Sequence, residues 1–285
     1  MNYQWYPGHM TKAVRQMQED VKLVDLIIEL LDARIPISSR NPDIDKIGQN
    51  KSRIVLLNKS DLSDGRRNNE WVDYFKDKDI HCLLVNSKNK ATLKALDALV
   101  LEACKEKIER DRRRGIKNRP VRAMVVGIPN VGKSTFINSF AGRACAKTGN
   151  KPGVTKGKQW IRLSKTLELL DTPGILWPKF ESQIVGEHLA LIGSINDDII
   201  DTVELSCALL DFLVESYPNL LKERFEIELE DVKNYEILEK IAIKRNYLLK
   251  GSTPDIEKMA MVLLDEFRSG KLGRISVEVP NQVMV

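Results

Sequence analysis

The sequence has little cysteine and no long apolar run. Its four cysteines, Cys82, Cys104, Cys145 and Cys207, are far apart, and none forms a C-x-x-C pair or lies near a group of histidines. This spacing argues against a disulfide framework and a structural zinc site, so we expect buried free thiols. No apolar stretch approaches the roughly 18 residues that a membrane span needs. Residues 1–10 lack the basic-then-apolar pattern of a secretory signal, which predicts a cytoplasmic protein without a membrane partner.

Acidic residues are scarce in the first part of the chain, and basic residues are scarce in the second. Residues 1–180 contain 34 Lys and Arg against 20 Asp and Glu, and residues 181–285 contain 11 against 20. A basic N-terminal body favours a polyanionic partner, although composition alone does not prove that it binds nucleic acid. The stretch from Arg110 to Arg122 is especially basic. It is either a solvated linker or a patch that contacts phosphates.

Short apolar runs alternate with polar, helix-favouring segments in the first part of the chain. The runs at 24–31, 53–57 and 80–85 are rich in Ile, Leu and Val, and helix-favouring segments lie near 66–78 and 92–110. This alternation predicts a parallel sheet with crossover helices. Further strands are expected at 123–126, 159–163 and 167–170.

After Pro178 the chain becomes acidic and its apolar residues recur at helical spacing. We therefore predict two domains, an α/β domain over 1–180 and a small all-α domain over 181–285. Helices of the second domain are expected near 181–194, 201–216, 235–249 and 254–268.

A phosphate-binding motif follows the predicted strand at 123–126. Gly127 to Ser134 fits the pattern G-x-x-x-x-G-K-[ST], and a helical pattern comes after it. The glycines let backbone N–H groups approach phosphates, and the helix N-terminus adds favourable partial charge. Lys133 is expected to reach the β- and γ-phosphates of a nucleotide, and Ser134 to bind Mg²⁺.

A second motif, Asp171-Thr172-Pro173-Gly174, lies about 40 residues downstream at a predicted strand end. An aspartate there can hold the Mg²⁺ ion, directly or through water, and the Gly174 N–H can contact the γ-phosphate. The distance from the phosphate-binding motif makes this turn a candidate nucleotide switch.

Guanine recognition is predicted earlier in the chain, at Asn58-Lys59-x-Asp61. The Asp61 carboxylate can accept hydrogen bonds from guanine N1–H and N2–H₂, and adenine cannot offer that pair. Lys59 can lay its aliphatic stem along the base. Ser87 and Lys88 follow the next predicted strand, where a backbone N–H could reach guanine O6.

These motifs together resemble the circularly permuted GTPases of the YlqF/YawG type. N-K-x-D and S-x-K precede G-x-x-x-x-G-K-S, G-x-T at 153–155 and D-x-x-G, whereas ordinary GTPases place them last. The sequences WYPGHM at 5–10 and DARIP at 32–36 extend the resemblance over nearly the whole chain. It implies an α/β P-loop GTPase sheet with helices on both faces, circularly permuted, followed by the small helical domain.

The resemblance also implies roles for individual residues. Thr155 would complete the Mg²⁺ shell in the GTP state, and Asn130 is the P-loop residue that accompanies a K⁺ cofactor in many members, although it is also a common turn former. Guanine would be bound by Asn58, Lys59, Asp61, Ser87 and Lys88. The phosphates would be bound by Asn130, Val131, Gly132, Lys133, Ser134, Thr135 and Gly174.

The residue that activates water for hydrolysis is not obvious. Many GTPases have Gln after D-x-x-G, but this chain has Ile175, which cannot polarise water, so we expect slow intrinsic turnover and a need for a partner. Of the three histidines, His81 begins a predicted strand and His188 lies in the predicted helical domain. His9 lies in a flexible Pro-Gly-His turn, and the resemblance also identifies it as the catalytic candidate. Its alternative is a structural or partner-contacting turn residue.

The resemblance implies a GTPase that acts in late assembly of the large ribosomal subunit, contacts its rRNA and is stimulated by the particle. We expect a monomer. Two alternatives remain: a GTP-dependent switch for protein effectors without an RNA role, and a nucleotide-sensing scaffold without hydrolysis. Because the chain leaves the α/β domain just after the switch, GTP would re-aim the C-terminal domain.

Overall fold

The structure, a computed structural model, describes residues 15–116, 118–142, 144, 160–170, 182–229 and 233–280. The chain divides into two compact units, with boundaries at residues 180 and 278. We call them the sheet unit, whose described residues lie within 15–170 and 278–280, and the helical unit, whose described residues lie within 182–277. Each is described by itself below.

The sheet unit is built on six strands in the order β3-β2-β1-β4-β6-β5. The strands are β1 (Leu26–Asp32), β2 (Ser52–Asn58), β3 (His81–Leu84), β4 (Val121–Val126), β5 (Trp160–Arg162) and β6 (Leu167–Leu170). All seven residues of β1 are buried, so both faces of the sheet are covered at its centre. This burial explains why β1 is continuously apolar except for Glu29 and Asp32.

Neighbouring strands are parallel except for β5, which runs antiparallel to β6. The sequence predicted a parallel sheet with crossover helices, and it did not predict the direction of this edge strand. Residues 163–166 connect β5 to β6, which is too short a connection for a parallel crossover but long enough for a hairpin.

Five labelled helices accompany the sheet, and residues 15–20 are also helical. Asp64 begins the longest of them by accepting a hydrogen bond from the Arg66 N–H. That helix buries Trp71 and Phe75 against Val55 of β2 and its neighbours. The five helices are α1 (Asp43–Ile47), α2 (Gly65–Asp77), α3 (Leu96–Ala103), α4 (Lys105–Arg113) and α5 (Lys133–Ala141).

The helical unit packs its helices around α7, which contacts the other four. Its helices are α6 (Gln183–Leu191), α7 (Thr202–Ser216), α8 (Pro218–Phe225), α9 (Asn234–Lys244) and α10 (Ile256–Ser269). Pro218 begins α8 and does not merely end α7, because the first turn of a helix needs no N–H from proline. The helix predicted to reach residue 249 ends at Lys244. Among the described helices, none is long and apolar enough to cross a membrane.

Arginine side chains tie these helices together. Arg268 of α10 donates hydrogen bonds to the carbonyl oxygens of Ala190 and Leu191 at the end of α6 and to the Asp197 carboxylate. Arg224 of α8 forms two hydrogen bonds with Glu266 of α10, at 2.8 and 2.7 Å. The first set satisfies carbonyl groups that a helix end leaves without intrahelical partners.

The chain returns to the sheet unit at Glu278. This differs from the predicted domain boundaries, which assigned 181–285 as a whole to the helical domain. The reason is a set of polar contacts. The Glu278 carboxylate accepts hydrogen bonds from the backbone N–H groups of Ile37 and Ser38, at 2.7 and 2.9 Å. Helical periodicity carries no information about such a contact between residues that are distant in sequence.

Candidate nucleotide-binding site

The carboxyl ends of the parallel strands bring the predicted motifs to one edge of the sheet. Asn58 is the last residue of β2 and lies in register with Asp32, the last residue of β1. Ser87 follows β3, and the loop from Gly127 to Gly132 follows β4. Motifs that are far apart in the sequence thus converge because parallel strands end at the same edge.

The loop before α5 has the backbone that a phosphate cradle requires. Asn130 and Gly132 have left-handed conformations, with φ of 60° and 99°. A Cβ atom on Gly132 would lie 2.5 Å from Asn58 Nδ2, and one on Gly127 would lie 2.8 Å from the Leu30 carbonyl oxygen. Both positions therefore exclude a side chain. Because α5 starts at Lys133, the N-terminus of this helix directly follows the loop, and an anion is favoured at a helix N-terminus.

Asn58 joins three of the converging loops. Its Nδ2 donates to the carbonyl oxygen of Val131 in the phosphate loop, at 2.7 Å. Its Oδ1 accepts from both the backbone N–H and the hydroxyl of Ser87, at 3.0 and 2.8 Å. Asn58 is only 2% exposed, so these bonds form in a dry environment where losing one leaves a buried polar group unsatisfied.

Lys59 is held by an ion pair with the end of β1. Its Nζ lies 2.9 Å from Asp32 Oδ2, and its backbone is left-handed, with φ of 59°. Arg34 donates to the same carboxylate through Nε and Nη2, each at 2.9 Å. Burial by itself would raise the pKa of Asp32, but the charges of Arg34 and Lys59 and their hydrogen bonds outweigh it, so the pKa lies well below its ordinary value.

Ser60 anchors the rest of this loop to the strand beside it. Its backbone N–H and its hydroxyl both donate to the Val85 carbonyl oxygen, at 3.2 and 3.0 Å. Asp61 follows immediately and is exposed. The loop therefore presents the exposed carboxylate of Asp61 close in sequence to Lys59, whose ammonium group is held by the ion pair with Asp32.

Comparisons with known proteins decide the family. A family model described as "50S ribosome-binding GTPase" matches residues 122–247. Ribosome biogenesis GTPase A of Bacillus cereus is 45% identical over 99% of this chain and 95% of its own length. The Thermotoga maritima protein of the same name is 33% identical over 98% of this chain and 95% of its own length. The structure titled GDP-bound TM YlqF matches with a TM-score of 0.70 and 28% identity, covering 94% of this chain and all of that one.

This chain belongs to the ribosome biogenesis GTPase A family. It is therefore a GTPase, and the predicted resemblance and fold class are confirmed. In this chain the α/β sheet is followed by helices. The permutation is visible in the strand order, because Asn58 ends β2 whereas the phosphate loop follows β4.

The structure describes some of the predicted site residues of this family member and not others. Lys133 is buried, whereas Ser134 and Thr135 are half-buried in the first turn of α5, and Lys88 is exposed. His81 begins β3, so it lies at the amino end of that strand and not at the carboxyl end described above, and His188 lies in α6 of the helical unit. Other predicted residues lie outside the described residues, namely His9, Thr155, Asp171 and Gly174.

The described residues that could hold a metal ion lie around the loop before α5. No group of three or more His, Cys, Asp and Glu side chains that could hold an ion occurs in the part of the chain that the structure describes. A magnesium ion in this family comes with the nucleotide, so phosphate oxygens supply several of its ligands. The cradle before α5 and the Ser134 hydroxyl fit such a shared site.

Sequence reasoning missed the role of Asp32 and Arg34. Both were noted only as part of the family resemblance at 32–36. The available signal was an aspartate at the end of a fully buried strand, followed two residues later by an arginine. Charged residues are rarely fully buried unless they are paired, so this pattern could have indicated an ion pair near the strand ends.

Proposed function

We propose that this chain binds and hydrolyses GTP during late assembly of the large ribosomal subunit, and that the subunit stimulates hydrolysis. The observation that carries the proposal is the convergence of the base-recognition and phosphate loops on Asn58. The names of the relatives, ribosome biogenesis GTPase A, support the ribosomal role.

The proposed nucleotide site uses the residues identified from the sequence. Asp61 accepts hydrogen bonds from guanine, Lys59 covers the base, and Ser87 and Lys88 flank it, with Asn58 holding these loops together. The phosphates are cradled by backbone N–H groups from Asn130 to Thr135, with Lys133 as a cation and Gly174 at the γ-phosphate. The ion-binding residues are Ser134, Thr155 and Asp171, the last directly or through water.

When bound, Mg²⁺ neutralises charge between the β- and γ-phosphates. Asn130 has the left-handed backbone of a turn residue and lies within the loop that forms the cradle. A K⁺ ion beside it is the further cofactor that we propose on family grounds.

His9 is the proposed water-orienting residue. The support is chemical: Ile175 occupies the position of the usual Gln, and histidine can accept a proton near neutral pH. We expect His9→Ala to abolish hydrolysis that is stimulated by large subunits without weakening GTP binding. His188→Ala, in α6, is the matched histidine control and should behave as wild type.

The test is GTP hydrolysis by the purified protein with and without large ribosomal subunits, in K⁺ and in Na⁺ buffer. Stimulation by subunits that is lost in His9→Ala supports the proposal, and higher activity in K⁺ supports the second cofactor. If subunits do not stimulate turnover, the protein is instead a switch for protein effectors. If hydrolysis is undetectable under every condition, it acts as a nucleotide-sensing scaffold.

The proposed rRNA contact surface lies on α4 and the segment after it. This helix buries none of its residues, so packing does not explain its composition. The guanidinium groups of this surface are suited to phosphate oxygens. Its exposed arginines are Arg110, Arg112, Arg113, Arg114 and Arg119.

A pair of charge reversals tests this surface. Arg112→Glu with Arg113→Glu should weaken binding to large subunits and lower the slope of log affinity against log salt by about one per lost phosphate contact. The control, Arg66→Glu with Lys76→Glu on exposed positions of α2, removes the same charge elsewhere. Equal weakening by both pairs would show that net charge alone matters and that α4 is not the contact.

A further inference from the structure

A loop at the end of β1 supports the lysine that we assign to guanine. This loop, residues 32–39, closes on itself: the Asp32 N–H donates to the Ser39 hydroxyl at 3.0 Å, and that hydroxyl donates to the Pro36 carbonyl oxygen at 3.2 Å. Arg34, only 1% exposed, folds back onto the Asp32 carboxylate. Asp32 is thereby held in one position, with Lys59 as its other partner.

Glu278 clamps the outer side of the same loop. Besides accepting from the N–H groups of Ile37 and Ser38, it donates its own N–H to the Arg34 carbonyl oxygen at 3.2 Å. Its carbonyl oxygen accepts from Trp71 Nε1 at 3.3 Å. The residue is 5% exposed, so a charged group is buried here and is compensated by backbone donors.

The loop and its clamp come from opposite ends of the chain. Glu278 is 241 residues from Ile37 in sequence, and the helical unit lies between them. The loop to which Glu278 binds is the same loop that carries Asp32, the ion-pair partner of Lys59. Glu278 is connected to Lys59 through hydrogen bonds, the backbone of the 32–39 loop and an ion pair, and the groups involved are buried or half-buried. Such directional contacts constrain orientation more than apolar packing does.

We propose that Asp32 and Glu278 are positioning residues for guanine recognition, in which Glu278 holds the 32–39 loop and Asp32 in turn orients Lys59 over the base. Neither touches the nucleotide. The inference rests on the proposed assignment of Lys59 to the guanine site. It makes the returning C-terminal segment part of the nucleotide-binding machinery.

The test is a double-mutant cycle on the full-length protein, read as GDP affinity by titration calorimetry. Glu278→Gln keeps the shape and removes the charge, and we expect it to weaken GDP binding about tenfold. In a Lys59→Ala background, the same substitution should change GDP affinity less than twofold, because its effect passes through Lys59. Asp32→Asn should behave in the same way.

Loss of stability must be separated from loss of positioning. Val100→Ala removes apolar contacts from a fully buried site in α3 and should lower the melting temperature without changing GDP affinity. If Glu278→Gln fails to fold, Ser39→Ala loosens the same loop by removing one hydroxyl and takes its place in the cycle.

The outcomes distinguish the two proposals. If the effects of Lys59→Ala and Glu278→Gln on GDP affinity are additive, Glu278 is only a structural anchor and this inference is wrong. If Lys59→Ala leaves GDP affinity unchanged, the proposed guanine assignment of Lys59 fails as well.

Discussion

The sheet unit and the helical unit differ in the kinds of side chains that they bury. In the sheet unit, buried polar and charged side chains join loops at the ends of strands, and they include Asp32, Arg34, Asn58 and Ser87. In the helical unit, the buried residues of α7 and α10 are mainly leucines, with Glu266 as the buried acid. One core therefore fixes the directions of polar groups, and the other mainly removes apolar surface from water.

The difference follows from what each class of interaction can do. Hydrogen bonds and ion pairs depend on direction, so they can hold a lysine or a carboxylate in place for a ligand. Apolar burial is non-directional and scales with area, so it supplies stability. Substitutions of the buried polar groups in the sheet unit should therefore change ligand binding most, and substitutions in the apolar core of the helical unit should change stability most.

The largest expected effect is on nucleotide choice. Asp61→Asn should lower GDP affinity on the order of 10⁴-fold and improve XDP binding, because the amide can donate to the additional carbonyl of xanthine. The melting temperature should not change, since Asp61 is exposed. Titrations with GDP and XDP measure this. An unchanged preference for guanine would break the assignment of specificity to the sheet unit.

The next effect should be confined to stability. Leu263 in α10 is fully buried, so Leu263→Ala should lower the free energy of unfolding by about 2–5 kcal/mol. Chemical denaturation followed by circular dichroism measures this, and GDP affinity should stay at the wild-type value. Met261→Ala is the control, since that side chain is 52% exposed on the same helix. A large loss of GDP affinity in Leu263→Ala would contradict the prediction that the core of the helical unit affects stability and not nucleotide binding.

A smaller effect on binding is expected at Gly132. In Gly132→Ala, the new Cβ would meet Asn58 Nδ2 and a left-handed backbone would carry a side chain, at a cost of about 1–3 kcal/mol. We expect GDP affinity to fall about tenfold or more. Gly115→Ala has a similar positive φ but open space around it, so it isolates backbone strain. Equal effects on GDP affinity in both variants would remove the Asn58 contact from the explanation.

The smallest expected effect concerns pH. The hydrogen bond from Arg224 holds the pKa of Glu266 below its ordinary value of 4.5, against the opposing effect of burial. The contribution of the pair to stability is therefore complete above that pH and is lost as the pH falls below it.

Glu266→Gln should remove this part of the acid sensitivity and cost on the order of 1 kcal/mol at neutral pH, because Arg224 is partly exposed. Chemical denaturation at several pH values from 3 to 7 gives the slope of the free energy of unfolding against pH. Glu257→Gln, on an exposed position of the same helix, should keep the wild-type slope. If the free energy of unfolding of Glu266→Gln fell more steeply with decreasing pH than that of the wild type, the predicted direction of the pH effect would be wrong.

Local pattern predicted much of the fold. The apolar runs located the strands to within a few residues, because a strand buried on both faces leaves a continuous apolar signature. The direction of β5 was not predicted, since periodicity is the same for parallel and antiparallel strands. The helix α8 was not predicted, because its eight residues from Pro218 to Phe225 are too few to show helical periodicity clearly.

The candidate site divides in the same way. Motif spacing named the residues of the phosphate and base loops, since each motif is contiguous in sequence. The supporting residues Asp32, Arg34 and Glu278 form no contiguous motif with Lys59. Their roles depend on which loops become neighbours, and that depends on the order of strands in the sheet.

The sequence by itself determined the family, the permuted order of motifs and the chemical groups available for a nucleotide. Only the tertiary structure decided that Asn58 meets Val131, 73 residues away, and that Glu278 meets Ile37, 241 residues away. The physical reason is that motifs and periodicity report short-range constraints on the chain. Hydrogen bonds between distant segments depend on which strand ends the sheet places side by side, and their contribution to stability depends on the exclusion of water there.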